Sequence, residues 1–261
     1  MHSTLPLEEM AIAIHDIAMK AATEIMTVYD SDFDVREKDD QSPVTEADER
    51  AEQLILNGLK HLDPSIPIVA EESAAKGQIP DVGDGPFWLV DPLDGTKEFV
   101  SRNGEFTVNI GLVEGDVPVL GVVYAPVPKR LFLGWGKDQA FSQDDDGPLR
   151  PISAKTPDAD GLVVVASRSH SNPETEAYLA ALDVKKITSA GSSLKFCLVA
   201  AGEADIYPRM GPTNEWDTAA AHAVLNAAGG SVRTLDGEDF LYRKPTFRNP
   251  PFVARGREVG A

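Results

Sequence analysis

The stretch Asp91-Pro92-Leu93-Asp94-Gly95-Thr96 ends an apolar run with two carboxylates three residues apart, then a glycine and a hydroxyl. A turn needs one such acid at most. Two carboxylates with a carbonyl between them are hard oxygen donors, suited to Mg²⁺, which keeps waters for a substrate phosphate. A cis Asp91–Pro92 turn would aim both acids and the Leu93 carbonyl at one point. Gly95 and Thr96 would then open a helix whose first amides could hold a phosphate. Two more acidic clusters end apolar elements: Glu71-Glu72 after IPIVA at 66–70, and Asp217 at the head of an alanine-rich segment. Alone, either one reads as an ordinary helix cap or strand end. For Asp91 and Asp94 with Gly95 and Thr96, the functional reading is already ahead.

The elements that must carry these residues show in the apolar periodicity. Met10, Ile14, Ile17, Ala21, Ile25 and Val28 keep helical spacing, and a second helix is expected from about Thr45 to Leu62, with Thr45 as cap and Asp48 at its third position. Runs at 66–70, 86–90, 106–113, 117–124 and 131–135 read as strands, and Glu114-Gly115-Asp116 as a hairpin turn. The polar segment 142–148 is the expected boundary between an N-terminal lobe, about 1–145, and a C-terminal lobe, about 146–261, of one domain. Beyond it, 162–167 reads as a strand, and 173–182, 192–201 and 216–228 read as helices, the last closed by Gly229-Gly230. The mixed order implies a layered α/β or α+β architecture.

The chain has 261 residues, 42% hydrophobic and 25% charged, as in ordinary globular enzymes. Its formal net charge of -18 argues against a nucleic-acid polymer or an anionic membrane as partner. A phosphorylated small molecule stays compatible, because bound divalent cations reverse the local sign. The single cysteine, Cys197, sits among apolar residues and reads as a buried small hydrophobe. No signal peptide and no membrane-length apolar run occur, so a cytoplasmic location is expected, with association at the inner membrane surface left open.

WLVDPLDGT at 88–96 resembles the signature of the inositol monophosphatase superfamily of Mg²⁺-dependent, lithium-sensitive phosphatases. SPVTEADERAEQLI at 42–55, VAEES at 69–73, GEFTVNIGLVEGDVPVLGVVYAP at 104–126 and NEWDTAAAHAVLNAAGG at 214–230 resemble further family blocks, in family order. The resemblance implies a five-layered α/β/α/β/α fold. Lys97-Glu98, SRSHSN at 167–172, GSSLKFCLVAAGEADIYPR at 191–209 and GPTNEWDTAA at 211–220 look closer to the bacterial 3'(2'),5'-bisphosphate nucleotidase branch. Arg209 stands where inositol monophosphatases commonly carry a glutamate that contacts an inositol hydroxyl; a cation there favours a second phosphate.

Residue by residue, the resemblance implies that Glu71, Asp91, Asp94, Asp217 and the Leu93 carbonyl coordinate two or three Mg²⁺ ions, with Glu72 supporting them from behind. Asp48 and Thr96 would orient and deprotonate the attacking water. Glu71, Leu93, Asp94, Gly95, Thr96 and Asp217 would also face the substrate. Ser167, His170, Gly191 and Lys195 would bind the nucleotide, Lys195 neutralising the phosphate that is not cleaved and Gly191 permitting close approach. Arg168 and Arg209 rank below them. A surface-loop histidine and a solvated helix lysine are the plain alternatives for His170 and Lys195; Trp88 and Trp216 read as core anchors.

The implied activity is removal of the 3'-phosphate from adenosine 3',5'-bisphosphate to give AMP, extending to its phosphosulfate, in sulfate assimilation. An inositol- or histidinol-phosphate phosphatase is the alternative on the same scaffold. A non-enzymatic metal-dependent binding protein is more distant, since every ligand position is filled. A monomer or homodimer is expected.

Overall fold

A computed structural model of the chain describes residues 5–38, 42–167 and 172–257. Helix α1, Leu7–Tyr29, buries the predicted stripe from Met10 to Val28. The short strands β1, Arg36–Glu37, and β2, Pro43–Val44, pair antiparallel and lead into α2, Glu46–Leu62. Thr45 caps α2: its Oγ1 accepts from the Ala47 N–H, and the Asp48 carboxylate reaches back to the Thr45 N–H.

β3, Ile68–Ala70, α3, Glu71–Ala75, β4, Phe87–Asp94, and α4, Thr96–Val100, follow. Next come β5, Thr107–Glu114, β6, Val117–Ala125, β7, Arg130–Trp135, β8, Gln139–Asp144, and β9, Arg150–Pro151. β3 to β9 form one seven-stranded sheet in sequence order. β4 reads as a continuous apolar run because both its faces are covered. Phe87 and Leu89 face one core, while Trp88 and Val90 face the other, with α1 and α2. β4 does not stop at residue 90 as expected. It continues to Asp94 through a register break between Asp91 and Asp94, and no cis peptide occurs among the described residues.

The first sheet also runs past the expected lobe boundary near residue 145. Ser142–Asp144 belong to β8, and β9 pairs back onto it, so the polar residues after Asp144 turn a hairpin rather than link two bodies. The remaining elements are β10, Leu162–Ser167, α5, Pro173–Ala180, β11, Val184–Ala190, α6, Leu194–Ala200, β12, Ile206–Arg209, β13, Thr213–Asn214, α7, Ala219–Ala227, β14, Ser231–Thr234, β15, Arg248–Asn249, and β16, Phe252–Arg255. A second sheet has the order β11-β10-β12-β16-β14.

α6 and α7 lie between the two sheets and α5 packs on the outer face of the second, giving five layers: α1/α2, sheet, α6/α7, sheet, α5. Gly111, Gly121 and Gly134 stand abreast on β5, β6 and β7. A methyl on Gly121 would sit 2.1 Å from the Ala220 carbonyl oxygen. The side-chain-free stripe therefore lets the backbone of α7 lie directly on the sheet, which brings the turn before α7 beside β4. Among the described residues, no helix is long and apolar enough to cross a membrane.

Candidate active site

Three places in the fold deliver four acids to one cleft of about 270 Å³. Glu71 opens α3 directly after β3, Asp91 and Asp94 end β4, and Asp217 lies on the turn before α7. That turn corrects the sequence expectation: residues 216–218 are not helical, because the Asp217 carboxylate accepts from the Asn214 N–H at 2.8 Å and bends the chain back. The cleft is also lined by Leu93, Gly95, Thr96, Ser167, Lys195 and Arg209.

The acids are held where charge is costly. Asp91 is 2% exposed, and burial first, then Glu71, Asp94 and Asp217, push its carboxyl well above the usual range. Asp94 and Asp217 keep some exposure at the cleft mouth, but protein crowds their other sides. Burial is the leading cause that pushes Asp94 up to about 6, with Lys195 and the Ser193 N–H opposing it. Asp217 is pushed well up by burial, then by Asp94 and Glu71. Mutually repelling carboxylates with this little cationic compensation suit a divalent cation. No three side chains among the described residues form a closed ligand cage. Mg²⁺ does not need one, because it keeps waters and takes substrate oxygens. The donor set therefore fits Mg²⁺.

Beside the acids stands a hydrogen-bonded pair. Thr96 Oγ1 lies 3.1 Å from Asp48 Oδ1 and 3.3 Å from the Leu93 carbonyl. A hydroxyl has one proton to give, and the closer, charged acceptor takes it. Asp48 Oδ2 accepts from Thr45 N at 2.8 Å and Thr45 Oγ1 at 2.7 Å, so the cap of α2 fixes the acid's orientation. Burial raises the Asp48 pKa, with the Thr45 contacts opposing. Gly95 adopts φ +96°, which lets the chain turn from β4 into α4. The helix expected there is only five residues long.

The nucleotide-side residues fall out differently. Ser167 lines the cleft, while Arg168 and His170 lie outside the described residues. Gly191 approaches protein rather than the cleft: a methyl on it would sit 2.5 Å from the Glu105 carbonyl oxygen. Lys195 is 4% exposed, not on a solvated face, and its Nζ donates to the carbonyls of Ala190 at 3.2 Å and Ser192 at 2.5 Å. Burial lowers its pKa to about 8. Arg209 lines the cleft and donates to Pro212 O, while its buried Nε has no hydrogen-bond partner.

Other participants escaped the sequence reading. Lys38 Nζ bridges Glu71 Oε1 at 2.8 Å and Glu72 Oε1 at 2.6 Å. Burial pushes Glu72 up to about 7, with Lys38 opposing. Ser193 N donates to Asp94 Oδ2 at 2.6 Å and Ser193 Oγ to Asn109 Oδ1 at 2.7 Å, tying the loop before α6 to β4 and β5. Thr107 and Asn109, two polar residues in an otherwise apolar strand, were the available signal. Trp88, Trp216 and Cys197 are core residues as expected.

Carboxylates after β3, at the end of β4 and before α7, gathered around a threonine–aspartate pair on a five-layered sandwich, define a metal-dependent phosphatase scaffold. The inositol monophosphatase family model matches residues 6–256, and this chain belongs to that family. It is 47% identical over 239 residues to the 3'(2'),5'-bisphosphate nucleotidase CysQ of Escherichia coli O6:H1, covering 90% of this chain and 95% of the relative. Among solved structures, CysQ from Bacteroides thetaiotaomicron superposes with a TM-score of 0.80 at 38% identity, covering 96% of this chain and 98% of that one. Inositol monophosphatase from Anabaena superposes at 0.77 with 26% identity, covering 96% and 92%.

Proposed function

We propose that this chain is a Mg²⁺-dependent 3'(2'),5'-bisphosphate nucleotidase that removes the 3'-phosphate from adenosine 3',5'-bisphosphate to leave AMP, and that it acts in the cytoplasm in sulfate assimilation. The observation that carries this reading is one cleft lined both by the acids Glu71, Asp91, Asp94 and Asp217 and by the cation Arg209. A substrate with one phosphate to hydrolyse and a second to hold suits that combination, whereas an inositol monophosphate would leave Arg209 unused.

Glu71, Asp91, Asp94, Asp217 and the Leu93 carbonyl would hold two or three Mg²⁺ ions. When bound, Mg²⁺ supplies Lewis-acid charge to the phosphoryl group and its nucleophile. Thr96 Oγ1 donates its proton to Asp48, which leaves the oxygen's lone pairs to receive a proton from water. Asp48, turned by the α2 cap, takes up the charge that this transfer moves inward.

The test is phosphate release with Mg²⁺ from adenosine 3',5'-bisphosphate, inositol 1-phosphate, histidinol phosphate and fructose 1,6-bisphosphate, each with and without Li⁺. The bisphosphate nucleotide should give the highest kcat/KM, and Li⁺ should inhibit. A higher kcat/KM on inositol 1-phosphate would replace this reading with the inositol phosphatase alternative.

A further inference from the structure

We propose that Asn249 is a positioning residue for Mg²⁺ binding: its side-chain amide fixes the turn from which Asp217 faces the cleft. The proposal rests on the reading of Asp217 as a metal ligand. Within its own turn, the Asp217 carboxylate is held by the Asn214 N–H. Asp94 and Glu71 crowd it with like charge, so the turn needs an outside anchor.

Asn249 supplies that anchor. Its Nδ2 reaches Asn214 O at 2.7 Å, Thr213 Oγ1 at 3.1 Å and Thr218 Oγ1 at 3.1 Å, acceptors on both sides of Asp217. The amide cannot be reversed, because Lys244 Nζ, which only donates, stands 3.2 Å from Asn249 Oδ1. Lys244 is itself fixed by Glu215, a fully buried carboxylate. Glu215 Oε1 accepts from Lys244 Nζ at 2.9 Å and Lys244 N at 2.8 Å, and Oε2 accepts from Arg243 N at 3.0 Å. Removing one partner of such a pair leaves an uncompensated buried charge, so the strap 243–249 is firmly seated. It meets the Asp217 turn through Glu215, whose N–H also donates to the Phe247 carbonyl at 2.8 Å, through the short pairing of β13 with β15, and, on both flanks of Asp217, through the amide of Asn249.

The test measures Mg²⁺ binding to the full chain by isothermal titration calorimetry, and the Mg²⁺ concentration that gives half-maximal phosphate release. The variants are Asn249→Ala, Asn249→Ser, Asp217→Asn and, as a stability control in the core, Val232→Ala, with Tm recorded for each. Asn249→Ala should weaken Mg²⁺ binding by about two- to tenfold, the range of one or so net hydrogen bonds, with kcat regained at saturating Mg²⁺. Asn249→Ser keeps a shorter donor, should fall between, and serves if the alanine variant does not fold. Val232→Ala should lower Tm and leave Mg²⁺ binding unchanged. Wild-type Mg²⁺ binding in both Asn249 variants, or equal weakening in Val232→Ala, would make Asn249 merely structural and overturn the proposal. Wild-type Mg²⁺ binding in Asp217→Asn would instead overturn the metal-ligand premise.

Discussion

Asp48→Asn and Thr96→Ala, singly and together, probe the chemical core of the site. Asp48→Asn preserves shape. Its amide oxygen can still accept from Thr45 N and Oγ1, so the start of α2 survives at a cost of about 0.5–1 kcal/mol. What changes is the other end, where an NH₂ now faces Thr96 Oγ1 across 3.1 Å and donates instead of accepting. The threonine then loses the acceptor for its own proton and with it the path for a proton from water. A hydrogen bond to a charged group contributes roughly 1.5–3 kcal/mol, or about 10- to 150-fold in rate, and general-base catalysis typically contributes about 10²–10⁴-fold. Each single variant should therefore lose about 10²–10³-fold in kcat at saturating Mg²⁺ and substrate. Independent residues would multiply, giving about 10⁴–10⁶-fold in the double variant. Residues acting as one unit do not multiply, so the double variant should stay within a few-fold of the worse single. Phosphate release, with circular dichroism and Tm to confirm folding, decides it. Losses that multiply would refute the relay and return Asp48 to the role of a helix-start acid.

Three further outcomes follow from charge. Burial raises the folded-state pKa values of Asp91, Asp94, Asp217 and Glu72 above their unfolded values, so the stability linked to them is present below about pH 4 and lost as pH rises. Metal-free protein should fall in Tm between pH 5 and pH 8, through about 6 for Asp94 and about 7 for Glu72, with Mg²⁺ reversing the fall; a Tm that rises over this window would refute the account. On the substrate side, Lys195→Met should lower kcat/KM alike for adenosine 3',5'-bisphosphate and adenosine 3'-monophosphate, because its Nζ gathers the Ala190 and Ser192 carbonyls. Arg209→Met should raise KM for the bisphosphate about tenfold and barely affect the monophosphate, and the reverse pattern would return the second phosphate to Lys195.

Where one physical cause governs an element, the sequence displayed it. The stripe from Met10 to Val28 and the capping box at Thr45 and Asp48 became α1 and α2 as spaced. The second sheet was harder to read. β12 spans only four residues and pairs with β16 far along the chain, and β11 is mostly exposed, so neither carries a local pattern of burial. The hairpin that ends the first sheet was missed for a related reason. Its acidic turn with Gly147 and Pro148 carries the same composition as a linker, and only the pairing of β8 with β9 distinguishes the two.

The site divides along the same line. Asp91 and Asp94, followed at once by Gly95 and Thr96, stand out from an ordinary strand end, whereas Glu71 and Asp217 each pass for a plain cap and could be picked out only through the family resemblance of the blocks around them. The groups that orient them could not. Lys38, Ser193 and Asn249 act through a few side-chain or backbone contacts to residues far away in sequence, and each is an ordinary loop or strand-end residue in its own neighbourhood. Lys195 shows the limit most clearly. Its place in GSSLK put a cation in the cleft, but whether that cation meets a phosphate or its own backbone depends on how the 190–193 loop turns. Ser192 at φ +46° is part of that turn, and presents its carbonyl to the ammonium. A charge's position along a chain fixes its neighbourhood, while the partner it neutralises is set by the backbone around it.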